Sequence, residues 1–336
     1  MRTLNVGFIG CGGFAKAMHM PLVMKSPLYR IRALTDIKED ACRETMDMTK
    51  ADYWTLDVDE VLGDPEIDAV FITTTHDSHA DLSIRAAKAK KHILCEKPMA
   101  LNAEDCRKVA KAVKENNVKY TVGYNRGLAP LVTRAGELLE TLGDKKKMVY
   151  HRIQAPFPES HWTHLPEIGG GRFVGEGCHI FDLFCQLIRR DPVLVYAAGG
   201  VFLDPDIVKI PDSACVTLTF EDGSVCTTLI SSAGCPDFEK ESTEIYCDNK
   251  AIHIDGFRQM KYFGFEGHRQ TLLDIGTVDK GQETEIHLFG RSILEDTPPP
   301  NDILVAARAA VVSYKVNESI RTGLPVAITR EEYDFS

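Results

Sequence analysis

The chain has 336 residues, 44% of them hydrophobic and 26% charged, proportions of a globular protein long enough for two domains. Its net charge of −10 argues against the basic face that nucleic acid requires. No apolar run approaches the roughly 20 residues that cross a bilayer, the first residues lead into a strand without a signal peptide, and the ten cysteines form no Cys-x-x-Cys pair. These features predict a cytoplasmic chain with reduced thiols, no membrane partner and no metal.

Residues 6–9 read as a buried strand. They lead into Gly10-Cys11-Gly12-Gly13-Phe14-Ala15, a Gly-x-Gly-x-x-Ala turn opening a helix that runs to about residue 24. The first glycine permits the tight turn, the second lets backbone approach a pyrophosphate, and the small third residue lets helix pack on strand. A second strand over 31–35 ends at Asp36 and Ile37, about 20 residues on, where a carboxylate meets a ribose 2′-hydroxyl. Helices over 38–49 and 58–62 flank a short strand at 54–55. The strand over 69–73 opens onto a polar turn, Thr74-Thr75-His76-Asp77-Ser78-His79, and a helix to 89. Residues 93–95 form a short apolar strand that ends in Glu96, Lys97 and Pro98. Two charges therefore sit at the carboxyl edge of a sheet, where open α/β sheets bind ligands. A helix over 103–116, capped by Asn102, and a strand over 119–123 complete a β-α alternation that predicts a doubly wound parallel sheet.

After Tyr124, Asn125 and Arg126 the pattern changes. A helix over 131–142 precedes a strand over 148–154. The loop over 156–171 is rich in Pro, Gly, His and Trp, and a helix over 179–189 follows. Strands over 193–202, 213–220, 224–231, 243–247 and 251–254 come without intervening helices, and Asp222-Gly223 marks a hairpin turn, so this sheet is mostly antiparallel. Helices over 282–294 and 302–322 close the chain. The expected fold is thus a Rossmann domain over 1–123 and an α+β domain with a large open sheet over 124–336. In the long loop His161 and Trp162, with His164, lack an acid or thiol to complete a metal set and read as a substrate-lining segment, Trp162 offering an apolar face to a sugar. Arg126 and Arg172 either contact substrate or pair with nearby acids.

Gly10-Cys11-Gly12, Asp36, His79, Glu96-Lys97-Pro98, the run 123–126 and Gly177-Cys178-His179-Ile180-Phe181-Asp182 occur in an order and spacing that resemble the glucose–fructose oxidoreductase, inositol dehydrogenase and rhizopine-catabolism family of sugar and cyclitol dehydrogenases. The resemblance spans the whole chain and implies an NAD-dependent oxidoreductase acting on a ring alcohol of a sugar, glycoside or cyclitol. It implies a homodimer or homotetramer that assembles through the open sheet. It implies that Lys97 and His179 meet over the nicotinamide, with Lys97 holding the reacting hydroxyl and His179 exchanging its proton. Glu96 would orient Lys97. Thr73, Thr74, Thr75, His76, His79 and Asn125 would line the cofactor, and Tyr124 would join the substrate site. Many members carry Asp four residues before the histidine. This chain has Gly175 there and Glu176 beside it, so Glu176 is either a substitute for that acid in catalysis or a helix-start carboxylate favoured by the dipole. A non-catalytic dinucleotide-binding sugar sensor, and an enzyme that cleaves glycosides through transient oxidation, are the alternative readings.

Overall fold

The computed structural model describes residues 2–334. They separate into two compact units. The first holds the residues up to Tyr124 together with Gln282–Ala307; the second holds Asn125–Gly281 and Arg308–Asp334.

In the first unit six strands form one parallel sheet: β1 (Leu4–Ile9), β2 (Tyr29–Thr35), β3 (Tyr53–Thr55), β4 (Ala69–Ile72), β5 (His92–Cys95) and β6 (Tyr120–Val122), in the order β3-β2-β1-β4-β5-β6. β4 is buried along its whole length and β5 along all but its first residue, which is why they read as continuous apolar runs and not as alternation. Phe8 and Phe71 stack at 4.9 Å, and Phe289 from the helix Gln282–Leu294 meets Phe71 edge-on at 6.1 Å. Burying aromatic side chains of this size stabilises by about 1.5–3 kcal/mol each. That contact is what joins the late helix to the core of the first unit.

The second unit is built on nine strands: β7 (Met148–Gln154), β8 (Pro192–Gly200), β9 (Ser213–Phe220), β10 (Val225–Ser231), β11 (Glu241–Cys247), β12 (Lys250–Asp255), β13 (Gln259–Phe263), β14 (Gln270–Asp274) and β15 (Val326–Ala327). All neighbours are antiparallel except β7 and β10, and Asp222-Gly223 does turn β9 into β10. One face packs inward, with Phe184 of the helix Cys178–Ile188 set edge-on against His151. On the other face the register aligns Leu194, Thr219, Val225, Met148, Tyr246, Ala251 and Phe263 in one row across six neighbouring pairs. Met148 and Tyr246 are at least half exposed. β13, β14 and β15 lie beyond the strands that the alternation predicts.

Candidate active site

The glycine turn leaves β1 at Gly10, whose φ is +100°. A Cβ there would lie 2.7 Å from the Thr73 backbone, so only glycine fits. Thr73 Oγ1 donates to the Gly10 carbonyl at 2.7 Å, tying the ends of β1 and β4 together. At Gly12 and Gly13 a Cβ would meet nothing within 4 Å among the described residues, so this face of the turn is open. Asp36 closes the other side: its Oδ2 accepts the Cys11 N–H at 2.7 Å and its Oδ1 the Lys38 N–H at 2.9 Å. Each oxygen keeps a second lone pair for a ribose hydroxyl. Ala15 is buried, Phe14 half exposed and Ile37 fully in solvent. Burial pushes the Cys11 thiol up to about 12, which makes it inert. The residues present therefore fit a dinucleotide: an obligatory glycine bend, an open face and a ribose acceptor.

Thr74 Oγ1 lies 2.6 Å from Ser78 Oγ, which in turn donates to the Thr75 carbonyl, so the polar turn after β4 is held by its own side chains. His76 is buried against His79, ring to ring at 5.7 Å. His79 has no exposed surface; its Nδ1 lies 2.8 Å from the Pro98 carbonyl and its Nε2 3.2 Å from the Thr74 carbonyl. Burial opposes charge on this ring, but Cys95 beside it and the two carbonyls outweigh that and raise its pKa to about 9. The ring braces the turn after β4 against the loop after β5, and both its nitrogens are used in doing so.

Glu96 ends β5 almost completely buried. Its Oε1 lies 2.6 Å from His19 Nε2 and its Oε2 accepts the Lys97 N–H at 3.2 Å. Burial would raise this carboxyl, but the His19 hydrogen bond and the charges of His19 and Lys97 hold it below the usual range. Gly123 makes room for it, since a Cβ there would come 2.9 Å from Oε1. Lys97 follows, half-buried, with a cis peptide to Pro98. Tyr124 is buried, and its carbonyl accepts Asn301 Nδ2 at 2.9 Å.

In the second unit Phe173–Gly177 form a π-turn that runs into the helix Cys178–Ile188. Such widened turns concentrate at functional sites. The turn carries Glu176, and His179 follows, 5% exposed. Glu176 Oε1 accepts Arg126 Nη2 at 3.0 Å, and Arg126 Nε donates to Glu241 Oε2 at 2.6 Å. Lys280 bonds to the same Glu241, and Lys240 lies 3.8 Å from Glu176. Burial would lower the Arg126 pKa, but Glu241 and Glu176 raise it; Glu241 is held well below the carboxylate range by Arg126 and Lys280 despite its own burial. Burial pushes His151, beside this cluster, down to about 3, so it is neutral. Asn125 Nδ2 donates to the Lys280 carbonyl at 2.7 Å.

Three residues after His179, Asp182 is fully buried, and burial outweighs the help of Gln186 and Arg308 and pushes its carboxyl up to about 8. In the long loop, His161 and Trp162 lie ring to ring at 5.3 Å, and Phe157 packs edge-on to His161 and His164. The Arg172 guanidinium lies 4.2 Å over the Phe157 ring.

Comparison with known proteins decides the family. Residues 4–124 match the NAD-binding Rossmann fold of an oxidoreductase family, and residues 140–253 match the C-terminal domain of the same GFO/IDH/MocA family. The chain belongs to the GFO/IDH/MocA oxidoreductases. The myo-inositol 2-dehydrogenase of Thermotoga maritima is 30% identical over 94% of this chain and 96% of its own length. An uncharacterized oxidoreductase of Bacillus subtilis, YrbE, is 27% identical over 98% of both chains. Among solved structures, a levoglucosan dehydrogenase in complex with NADH superposes with a TM-score of 0.86 over 98% of this chain and all of that one, at 21% identity. The family assignment makes this chain an NAD-binding oxidoreductase with relatives named inositol and sugar dehydrogenases.

Of the residues that the family pattern singles out, Gly10, Cys11, Asp36 and Thr73 come together at one sheet edge, Glu96 and Lys97 form a second group, and Arg126 with Glu176 a third. Sequence reasoning missed His19, which lies 77 residues from its partner Glu96. It also missed Glu241. A signal for Glu241 exists: it falls on the same inward stripe as Thr243, Ile245 and Cys247, and an acid on a buried stripe of a strand must have a partner.

Proposed function

We propose that this chain is an NAD-dependent dehydrogenase that oxidises a secondary alcohol on the ring of a sugar, glycoside or cyclitol. The observation that carries the reading is the end of β5, where a buried Glu96, held by His19, stands under Lys97 at the carboxyl edge of a parallel sheet. The relative named myo-inositol 2-dehydrogenase supports the substrate class. Lys97 donates to the reacting oxygen and favours the negative charge that develops there. His179, as a neutral imidazole, removes the hydroxyl proton. Trp162 offers an apolar face to the ring. Glu176 acts by fixing Arg126, its hydrogen-bonded partner. Asp36 selects NAD by accepting the ribose 2′-hydroxyl. The cofactor, when bound, supplies the hydride acceptor.

The test is a panel of sugars, glycosides and cyclitols with NAD, read as NADH absorbance. Turnover with at least one ring polyol is expected. NADH from none of the panel overturns the substrate class, and bond cleavage without net NADH favours the glycoside-cleaving route. The assembly belongs to the same reading. The apolar row on the outer face of the nine-stranded sheet fits a homodimer or homotetramer joined through that face. Light scattering that finds a monomer at micromolar concentration overturns this part.

A further inference from the structure

Arg172 is a buried cation in the second unit whose charge burial disfavours on balance. It is 2% exposed. Among the described residues no carboxylate comes within ion-pair distance of it, and its buried Nε has no hydrogen-bond acceptor; the guanidinium lies over the face of Phe157. A guanidinium cannot shed its proton at any ordinary pH, so the charge stays. An ionised group taken from water without a partner costs several kcal/mol.

Glu176 and Asp212 favour its charge only from a distance, because their oxygens are committed elsewhere. Glu176 accepts Arg126. Asp212, which also favours the Arg172 charge, takes the N–H groups of Phe202 and Leu203 on Oδ2 and the Ser213 hydroxyl on Oδ1. At an edge of the same Phe157 ring, His164 is 5% exposed; the Pro158 carbonyl is near enough to favour its charge, and neither ring nitrogen makes a well-formed hydrogen bond. Burial, with Arg172 adding to it, holds this imidazole neutral. Its N–H is therefore available as a donor.

The backbone sets this pair deliberately close. The Gly171 N–H donates to the Thr163 carbonyl at 2.9 Å, and a Cβ on Gly169 would run into the Thr163 backbone. The loop strand that carries His164 is thus pressed onto the segment that delivers Arg172 into the π-turn before His179.

We infer that Arg172 and His164 form a carboxylate-binding subsite, so that the substrate is a sugar acid such as a uronate or its glycoside. The inference rests on the proposed function in taking the ligand to be the substrate of that site. A guanidinium presents two parallel N–H groups that match a carboxylate, and the neutral imidazole adds a third donor without a second charge. One cation matches one negative charge. A phosphate dianion would leave a charge uncompensated with Glu176 and Asp212 close by, so the carboxylate is the better match.

The test is calorimetric titration of the NAD-loaded full-length protein with matched sets of ligands. Each set holds the methyl glycoside of glucuronate or galacturonate, the neutral parent glycoside and its 6-phosphate. The uronate should bind at least tenfold more tightly than its neutral parent, and Arg172→Met should abolish that preference. A neutral parent that binds as tightly, a 6-phosphate that binds best, or a preference that survives Arg172→Met each overturns the inference. Because the wild-type comparison needs no variant, misfolding of Arg172→Met does not protect it. Uronates that bind with this preference while no sugar or cyclitol gives NADH would leave the subsite standing and remove the proposed function. NADH from neutral sugars with no uronate advantage would do the reverse.

Discussion

Arg126 and Arg172 lie in the same unit, 4% and 2% exposed, and differ only in their company. Arg126 has Glu241 and Glu176 on its donors, and its charge is favoured; Arg172 has none, and burial disfavours its charge. Two carboxyls repeat the contrast. Glu96 is buried with His19 and held ionised, whereas Asp182 is buried with no close cation and pushed up to about 8. Burial sets the cost of a charge, and the partner decides whether that cost is met inside the fold or left for a ligand. Compensated groups should therefore matter to stability, and uncompensated or outward-facing groups to chemistry and binding.

The largest expected effect lies on the chemistry side. His179→Asn should slow alcohol oxidation by about a hundred- to ten-thousandfold and leave the unfolding midpoint nearly unchanged. A general base acts only when deprotonated, so any limb that His179 contributes to the wild-type pH profile should be missing from the variant. A pH profile that persists unaltered in the variant would pass the base role to another group.

Next comes the compensated cluster. Arg126→Met leaves buried Glu241 with Lys280 alone and should cost about 3–5 kcal/mol in denaturant unfolding. Arg172→Met should leave stability unchanged or raised. Equal losses from the two variants would erase the distinction between them.

Lys97→Ala should cut turnover by about a hundredfold, the usual worth of a donor to developing charge, with NAD binding retained in a fluorescence titration. Near-wild-type turnover would return Lys97 to the role of a strand-end charge.

Asp182 sharpens the comparison through pH. Its folded pKa, about 8, lies above its unfolded value, so its contribution to stability is fully present below about 4 and is lost as pH rises toward 8. Asp182→Asn should remove a slope of up to about 1.4 kcal/mol per pH unit from the stability curve over that window. An unchanged slope would mean that Gln186 and Arg308 compensate the ionised carboxyl. The smallest effect is at Asp36. NAD should bind at least about tenfold more tightly than NADP, near 1.4 kcal/mol, and equal affinities would remove Asp36 from cofactor selection.

Much of this architecture was legible in the sequence because the decisive signals are local. Continuous apolar runs mark β4 and β5, the glycine turn fixes the first crossover, and Asp222-Gly223 fixes a hairpin. β13 and β14 escaped because they are short, polar strands at one end of the sheet, with at most every second residue buried. The helix Gln282–Leu294 was visible, but an amphipathic stripe does not say which core it joins, and Phe289 settles that only in three dimensions. The same limit applies to the site. Glu96, Lys97 and His179 announce themselves by motif, whereas His19 and Glu241 act on partners 77 and 115 residues away, and nothing in the intervening sequence points to the pairing. Arg172 was legible as a residue and ambiguous as a role until its missing partner could be seen.

The cysteines carry a practical consequence. Eight of the ten are buried, while Cys215 and Cys235 are exposed, so a maleimide has two places to react on the native chain. Cys215 projects from the outer face of β9, alongside Thr217 and Thr219, and Cys235 sits in the loop before β11. Assembly through the sheet would shield the first thiol and spare the second. The labelling ratio of these two positions, followed on dilution, thus gives a footprint of quaternary structure that needs no added tag.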